Sequence, residues 1–280
     1  MNVFSFEWIK TDFGEQCLVP LENAPYPHKS RKDGFKLNDE YFSVEEHYDD
    51  PTVGFLIPQN YKQNNKINFI VHFHGHGNNV KNAIKKYKMA EQINESGKNL
   101  IMVCPQGPKD TRDSGCGKLE EISGFQRFID ESLDFLKKEG KVPQKAKIGK
   151  IILSGHSGAY YVISKILAHG GYSNEIKEVY LFDATYGELD TFANWVADSK
   201  KHRLFSIFTD HLVENNIILM SKLQDNRIFK FKIVADSELN DEILEEYKIV
   251  FSYTKLGHDN VIQDKKHLER LLKTSSIENK

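Results

Sequence analysis

The sequence predicts an α/β protein built on a doubly wound, mostly parallel sheet with helices on both faces. Three observations carry that expectation. From Ile67 onward, short apolar runs alternate with amphipathic stretches. The runs are rich in β-branched and aromatic residues, as strands buried on both faces are. Their spacing is that of strand–helix units rather than of hairpins. A chain of 280 residues is long enough for one such domain with a full core and an internal site.

Taken in order, residues 1–50 carry Pro20, Pro25, Pro27 and an Arg31-Lys32-Asp33-Gly34 turn with little periodicity. They read as an irregular lead-in with edge strands, Thr52–Pro58 among them, packed on the core and not forming a second domain. Strands are expected at Ile67–Phe73, Leu100–Cys104, Lys150–Leu153, Glu178–Phe182, Arg203–Phe208 and Ile249–Tyr253. Helices are expected over Val80–Asn94, Gly124–Lys138, Ala159–His169, Thr191–Asp198, Val213–Leu223 and Asn240–Tyr247. The main domain is then 51–273, and the polar residues 274–280 are expected to fray.

Composition excludes some partners. Lys plus Arg is 38 and Asp plus Glu is 40, a net charge of −2. Nucleic acid or an anionic membrane surface would call for a basic excess. No run of about 18 apolar residues could span a bilayer, and the N-terminus lacks the basic and apolar regions of a signal peptide. A cytoplasmic location is the expectation. Cys17, Cys104 and Cys116 are widely spaced with no C-x-x-C pair, which points to reduced thiols and to neither a disulfide framework nor a thiolate zinc site.

The strongest chemical signal is Lys150-Ile151-Ile152-Leu153-Ser154-Gly155-His156-Ser157-Gly158-Ala159-Tyr160. An apolar strand runs into a helix through G-H-S-G-A, a variant of the G-x-S-x-G nucleophile elbow. Small residues are needed at Gly155 and Ala159 because the strained turn that lifts Ser157 from the sheet brings neighbouring backbones together. The helix start supplies the Gly158 N–H, half of an oxyanion hole. Upstream, the strand ending at Phe73 continues as His74-Gly75-His76-Gly77-Asn78-Asn79, where an H-G-x-G loop would complete that hole with the His76 N–H, Gly77 being next in line. His72, His74 and His76 alternate and would share a strand face, so a metal site is a competing reading; His74 as a buried loop anchor is preferred. Near the C-terminus, strand Ile249–Tyr253 leads to a turn carrying His258, placed to act as general base across the carboxyl edge of the sheet. His156 is expected to point away from the nucleophile's neighbours, and His169 and His202 to lie at the surface.

These three segments in this order resemble the α/β-hydrolase superfamily over about Thr52 to Leu272. The stretches Ala24-Pro25-Tyr26-Pro27, Pro105-Gln106-Gly107-Pro108 and Leu181-Phe182-Asp183-Ala184-Thr185-Tyr186-Gly187 are also similar to uncharacterised bacterial hydrolase-like proteins. The resemblance implies the hydrolase fold and a serine, histidine and acid triad, and it names no substrate. It places the acid most often on the later of two strands, which favours Asp210, and sometimes on the earlier one, which carries Asp183. The residues themselves favour Asp183. It follows a strongly apolar strand and precedes a tight small-residue turn, whereas helix N-capping explains Asp210.

Only Glu188–His202 separates the two strands around Thr191–Asp198, which leaves no room for a large cap domain. The long loop Pro105–Ser123 is expected to border the substrate, with Arg112 a candidate carboxylate or phosphate clamp. Tyr160 and Tyr186 are candidate pocket aromatics, although core packing is the commoner role at such spacing. The functional expectation is a serine hydrolase acting on a small-molecule carboxylic ester or amide through an acyl-enzyme on Ser157, with no cofactor. Acyl transfer by the same residues, a catalytically inactive binding module on this fold, and a metal-dependent hydrolase using His72, His74 and His76 are the alternatives.

Overall fold

The computed structural model describes residues 6–280. Twelve strands are present among them: β1 Ile9–Thr11, β2 Gly14–Pro20, β3 Phe35–Leu37, β4 Glu40–Phe42, β5 Thr52–Pro58, β6 Lys66–Phe73, β7 Ile101–Pro105, β8 Lys147–His156, β9 Ile176–Phe182, β10 Arg203–Phe208, β11 Lys232–Ala235 and β12 Ile249–Tyr253. Nine helices accompany them: α1 Val44–His47, α2 Val80–Lys86, α3 Met89–Glu95, α4 Gly124–Lys138, α5 Tyr160–His169, α6 Leu189–Asp198, α7 Val213–Asp225, α8 Asp241–Glu246 and α9 His267–Lys273.

Ten strands form one sheet in the order β1-β2-β5-β7-β6-β8-β9-β10-β12-β11. From β7 to β11 every pairing is parallel, while β1, β2 and β5 extend the sheet antiparallel. Alternating residues of the central strands feed two cores. Phe69 and Val71 join one with side chains of α4, α5, α6 and α7. Ile70 joins the other with α2, α3, α8 and α9. Helices thus cover both faces, as the near-continuous apolar strands require. The fold is the expected doubly wound, mostly parallel α/β sheet, and the segment between β9 and β10 holds only α6 and no cap domain.

Four expectations are corrected. Strand β5 is not an edge strand: it pairs with β2 on one side and β7 on the other, and its residues from Val53 to Pro58 are all buried. The unbroken apolar run Val53-Gly54-Phe55-Leu56-Ile57 is what an interior position demands. The predicted helix Val80–Asn94 is two helices, because Lys88 adopts a left-handed conformation with φ 50° after the buried Tyr87. The apolar periodicity continues across this break, which hid it. Residues 274–280 do not fray. Ile277 is buried, the Asn99 N–H donates to the Glu278 carbonyl at 2.8 Å, and the Lys280 N–H donates to the Gly97 carbonyl at 2.8 Å. His202, expected at the surface, is buried and stacks on Trp195 with ring centroids 4.1 Å apart.

The tail is also tied to a buried charge. Glu178 is completely buried and accepts hydrogen bonds from Arg203 Nη1 at 2.9 Å, the Tyr180 hydroxyl at 2.9 Å and the Ser276 N–H at 2.6 Å. Arg203 in turn donates to the carbonyls of Thr274 and Leu244. Among the described residues, no helix is long and apolar enough to cross a membrane. Removing one partner of a buried ion pair strands the other, so Glu178→Ala is expected to cost about 3–5 kcal/mol, read from the midpoint of urea unfolding, with Glu178→Gln costing less.

Candidate active site

The sheet order reverses at β6, which has β7 on one side and β8 on the other. The carboxyl ends of β6 and β8 therefore flank a switch point, where doubly wound sheets open a crevice. Ser157 follows β8 directly and starts the short 3-10 turn Ser157–Ala159 that leads into α5. Its φ is 55°, a left-handed conformation costly for a residue with a side chain. Crowding holds it there. A Cβ on Gly75 would lie 2.7 Å from Ser157 Cβ, and one on Gly155 would lie 2.8 Å from both Ala159 Cβ and Ile163 Cδ1. These glycines are obligatory because there is no space for anything larger.

The structure brings His258 onto Asp183. His258 sits in a single turn after β12, and its Nδ1 lies 2.6 Å from Asp183 Oδ2. Asp183 follows β9, is completely buried, and also has a left-handed backbone, φ 47°. It accepts from the Thr209 N–H at 2.9 Å and from the Thr209 hydroxyl at 2.8 Å. Burial by itself would raise this carboxyl. The hydrogen bonds from His258 and Thr209 outweigh burial and hold it below its ordinary value of 3.8. Asp210 points elsewhere: it is exposed and accepts from the Tyr253 hydroxyl at 2.6 Å. Among the described residues, Ser157 makes no hydrogen bond to His258, whose Nδ1 is engaged by Asp183. In substrate-free sites such contacts are often long and tighten in the complex.

The two loops expected to supply anion-hole donors differ in which N–H groups are already engaged. Among the described residues, the N–H groups of His76 and Gly158 are donated to no loop carbonyl or side chain, while the Gly77 N–H donates to the Thr111 carbonyl at 2.9 Å. Gly77 is thereby excluded as a donor. The His76 ring lies over Gly158, where a Cβ would come within 2.5 Å of its Nε2, and that Nε2 is 2.7 Å from Ser114 Oγ.

His74 is an anchor, as preferred. Its Nε2 accepts from the Gly107 N–H at 3.0 Å, which leaves Nδ1 to donate to the Gly75 carbonyl at 2.9 Å. His72 is fully buried beside Ser154, with Nδ1 2.9 Å from its hydroxyl. Both rings are held below their ordinary basicity, chiefly by burial. With His74 spent on its loop, His72, His74 and His76 do not present a shared set of lone pairs, and the metal reading on them is corrected. The side chains that do converge are Asp183 with His211 and His258, and His156 with His258 and Asp259. Hydrogen bonds tie Asp183 to His258 and, through Thr209, to His211, while Asp259 pairs with Lys86 at 3.2 Å.

Several site residues were not expected. His156, instead of pointing away, donates from Nε2 to the His258 carbonyl at 2.9 Å, and its Nδ1 is 3.1 Å from the Tyr87 hydroxyl. Its ring lies 4.5 Å from that of His258. Burial, followed by the nearby His258, lowers its pKa to about 4, so it holds the His258 turn as a neutral imidazole. His211 is 2.8 Å from the Thr209 hydroxyl through Nδ1 and 2.7 Å from the Tyr186 hydroxyl through Nε2. Because the Thr209 hydroxyl donates to Asp183, it accepts from His211, and Tyr186 then donates to His211. Only the adjacency of Thr209 and His211 to Asp210 could have signalled this from sequence.

Tyr160 packs on Tyr186 at 6.0 Å between centroids, and Tyr186 is partly exposed at the opening. Arg112 Nη2 pairs with Glu40 at 3.0 Å on the surface. The ion pair that matters in this loop is its neighbour's. Asp113 is buried and takes both Nε and Nη2 of Arg31, at 2.7 and 2.9 Å.

No family model and no curated protein matches the sequence. Solved structures do match. The feruloyl esterase module from Clostridium thermocellum, a serine-to-alanine mutant complexed with sinapinate, superimposes with TM-score 0.55 at 13% identity, covering 96% of this chain and 86% of its own. A ferulic acid esterase gives TM-score 0.50 at 12% identity, covering 96% of this chain and 94% of its own. The chain has the α/β-hydrolase fold.

One pH effect follows from the buried rings. His156 and His267 each have a pKa lowered from 6.5 to about 4, in both cases chiefly by burial. The unfolded chain binds protons that the folded chain refuses in this interval, so stability is complete above 6.5 and falls as pH drops toward 4. The urea midpoint is expected to be lower at pH 5 than at pH 7, an interval above the titration of ordinary carboxylates.

Proposed function

We propose that the protein is a serine hydrolase that cleaves a small-molecule carboxylic ester through an acyl-enzyme on Ser157. The observation that carries this reading is the 2.6 Å contact of His258 Nδ1 with the buried Asp183, beside a serine held at φ 55° on a strand-to-helix turn. With Nδ1 committed to Asp183, His258 has Nε2 free for proton transfer. Ser157 Oγ attacks the ester carbonyl while Nε2 takes its proton. The bond to the leaving oxygen breaks as Nε2 returns that proton to it. Water then repeats the sequence on the acyl-enzyme and regenerates the Ser157 hydroxyl. Asp183 stays ionised and stabilises the imidazolium formed on the way. The N–H groups of His76 and Gly158 receive the developing oxyanion, each worth about 3–4 kcal/mol. The residues present call for no cofactor in any of these steps. That the two matching structures named above are esterases by name is consistent with the reading.

A fluorophosphonate probe is expected to label the protein at Ser157, to fail on Ser157→Ala, and to be unaffected by a chelator. Absence of labelling together with chelator-sensitive esterase activity would reverse the assignment. Asp183→Asn should lower kcat on p-nitrophenyl acetate by roughly 10⁴-fold, the scale seen when the orienting acid of a triad is lost. Asp210→Asn should stay within a few fold of the wild type, and the opposite pattern would move the acid to Asp210.

A further inference from the structure

A small cavity lies against the oxyanion N–H groups. Its volume is about 30 Å³, and it is lined by Gly75 and His76 of the loop after β6, by Gly158 and Val162 of the elbow and its helix, and by Cys116 and Leu119 of the loop Pro105–Ser123. His258, Asp183, Tyr186 and His211 do not line it. The reacting carbon of an ester bound at Ser157 has three substituents to place. Its oxygen goes to the two N–H groups, and the leaving group goes toward His258, which must protonate it. The remaining substituent, the acyl chain, must leave on a side away from His258, and this cavity is a space beside the elbow that His258 does not line.

We propose that the cavity is the acyl pocket and that it limits the enzyme to esters of very short acids, from formyl to propionyl. This rests on the serine hydrolase reading above. A cavity needs roughly 10–15 Å³ to hold one water-sized group, so 30 Å³ accepts about two such groups beyond the carbonyl. Leu119 and Val162 give it an apolar part and the Cys116 thiol is kept protonated by burial, while Asp113 and Ser114 also line it. A short alkyl stub suits the apolar part, and a carboxylate facing Asp113 does not.

The roof is fixed in place. Ser114 and Cys116 flank Gly115, whose N–H donates to Asp113 Oδ1 at 2.8 Å, and Asp113 is gripped by Arg31 and by the Tyr48 hydroxyl at 3.1 Å. A Cβ on Gly115 would lie 2.5 Å from Arg31 Nη2, and one on Gly117 would lie 2.1 Å from the Pro25 carbonyl oxygen. The lead-in thus clamps the loop, and a bidentate ion pair with a buried carboxylate holds this wall of the cavity in place. The other side of Ser157 is open, bordered by the partly exposed Tyr186 and by His211. The leaving group can therefore be large while the acyl group is small.

The test is a series of p-nitrophenyl esters from acetate to octanoate, together with methyl sinapinate, alongside fluorophosphonate labelling of the same preparation. A hydrophobic pocket discriminates by at least about tenfold per misplaced methylene, so kcat/KM is expected to hold from acetate to propionate and to drop at least about tenfold by hexanoate. Methyl sinapinate should not be cleaved. Val162→Ala and Leu119→Ala, each enlarging the cavity from a different element, should raise the hexanoate to acetate ratio, and Asp113→Asn should do so by loosening the roof. If Ser157 labels but octanoate or methyl sinapinate is cleaved as well as acetate, the acyl pocket is overturned and the hydrolase reading stands. If Ser157 neither labels nor supports any hydrolysis, the hydrolase reading falls and takes this proposal with it.

Discussion

Everything in the candidate site depends on the crowding between residues 155 and 159 and the end of β6. Three small residues, Gly75, Gly155 and Ala159, let two strand ends and a helix start approach so closely that a single added carbon would collide. That packing forces Ser157 into a left-handed backbone. The strain is sustained by the buried sheet on either side of it, because β8 pairs along its length with β6 and β9. A loop could not hold such a geometry. The same approach lays the His76 ring against Gly158, so the proposed nucleophile and the proposed anion site both rest on one steric fact.

Around that point, the histidines divide their labour by burial. His74 and His156 have both ring nitrogens engaged and basicity lowered. They act as rigid hydrogen-bonding struts, one holding the loop after β6 and the other the turn after β12. His258 differs from both, with its Nδ1 on the buried Asp183 carboxylate and no hydrogen bond at its other ring nitrogen among the described residues. Asp183 can remain charged without exposure because Thr209 supplies two of its hydrogen bonds from the end of β10. Four separate strand ends are thereby fastened to one carboxylate or to the residues it holds.

The sequence made the parallel sheet legible because buried strands and amphipathic helices differ in period, and helix Gly124–Lys138 is found with the expected limits. It made Ser157 and His258 candidates because the first follows an apolar strand directly and the second lies in the turn after another. It did not reveal β2 or the interior placement of β5, since an antiparallel extension pairs residues far apart in a stretch dominated by proline and turn residues. The break at Lys88 was invisible because periodicity carries across it. The docked tail was invisible because its anchoring is to backbone groups and to Glu178, neither of which leaves a pattern in residues 274–280. Asp183 and Asp210 could not be separated by position; what distinguishes them is Thr209, whose hydroxyl and N–H turn toward one and not the other. Gly77 was lost as a donor through a backbone bond to Thr111 that no local spacing encodes.

The grip of Arg31 on Asp113 has a consequence for engineering. The lead-in and the loop Pro105–Ser123 fold as interlocking parts, with glycines in the loop shaped to fit the backbone and guanidinium of the other. A graft of the loop alone onto a related scaffold would arrive without its counterpart and expose a carboxylate built for burial. The transferable unit is the pair. Libraries meant to reshape this corner of the protein should therefore vary both segments together, with the ion pair kept constant as their shared hinge pin.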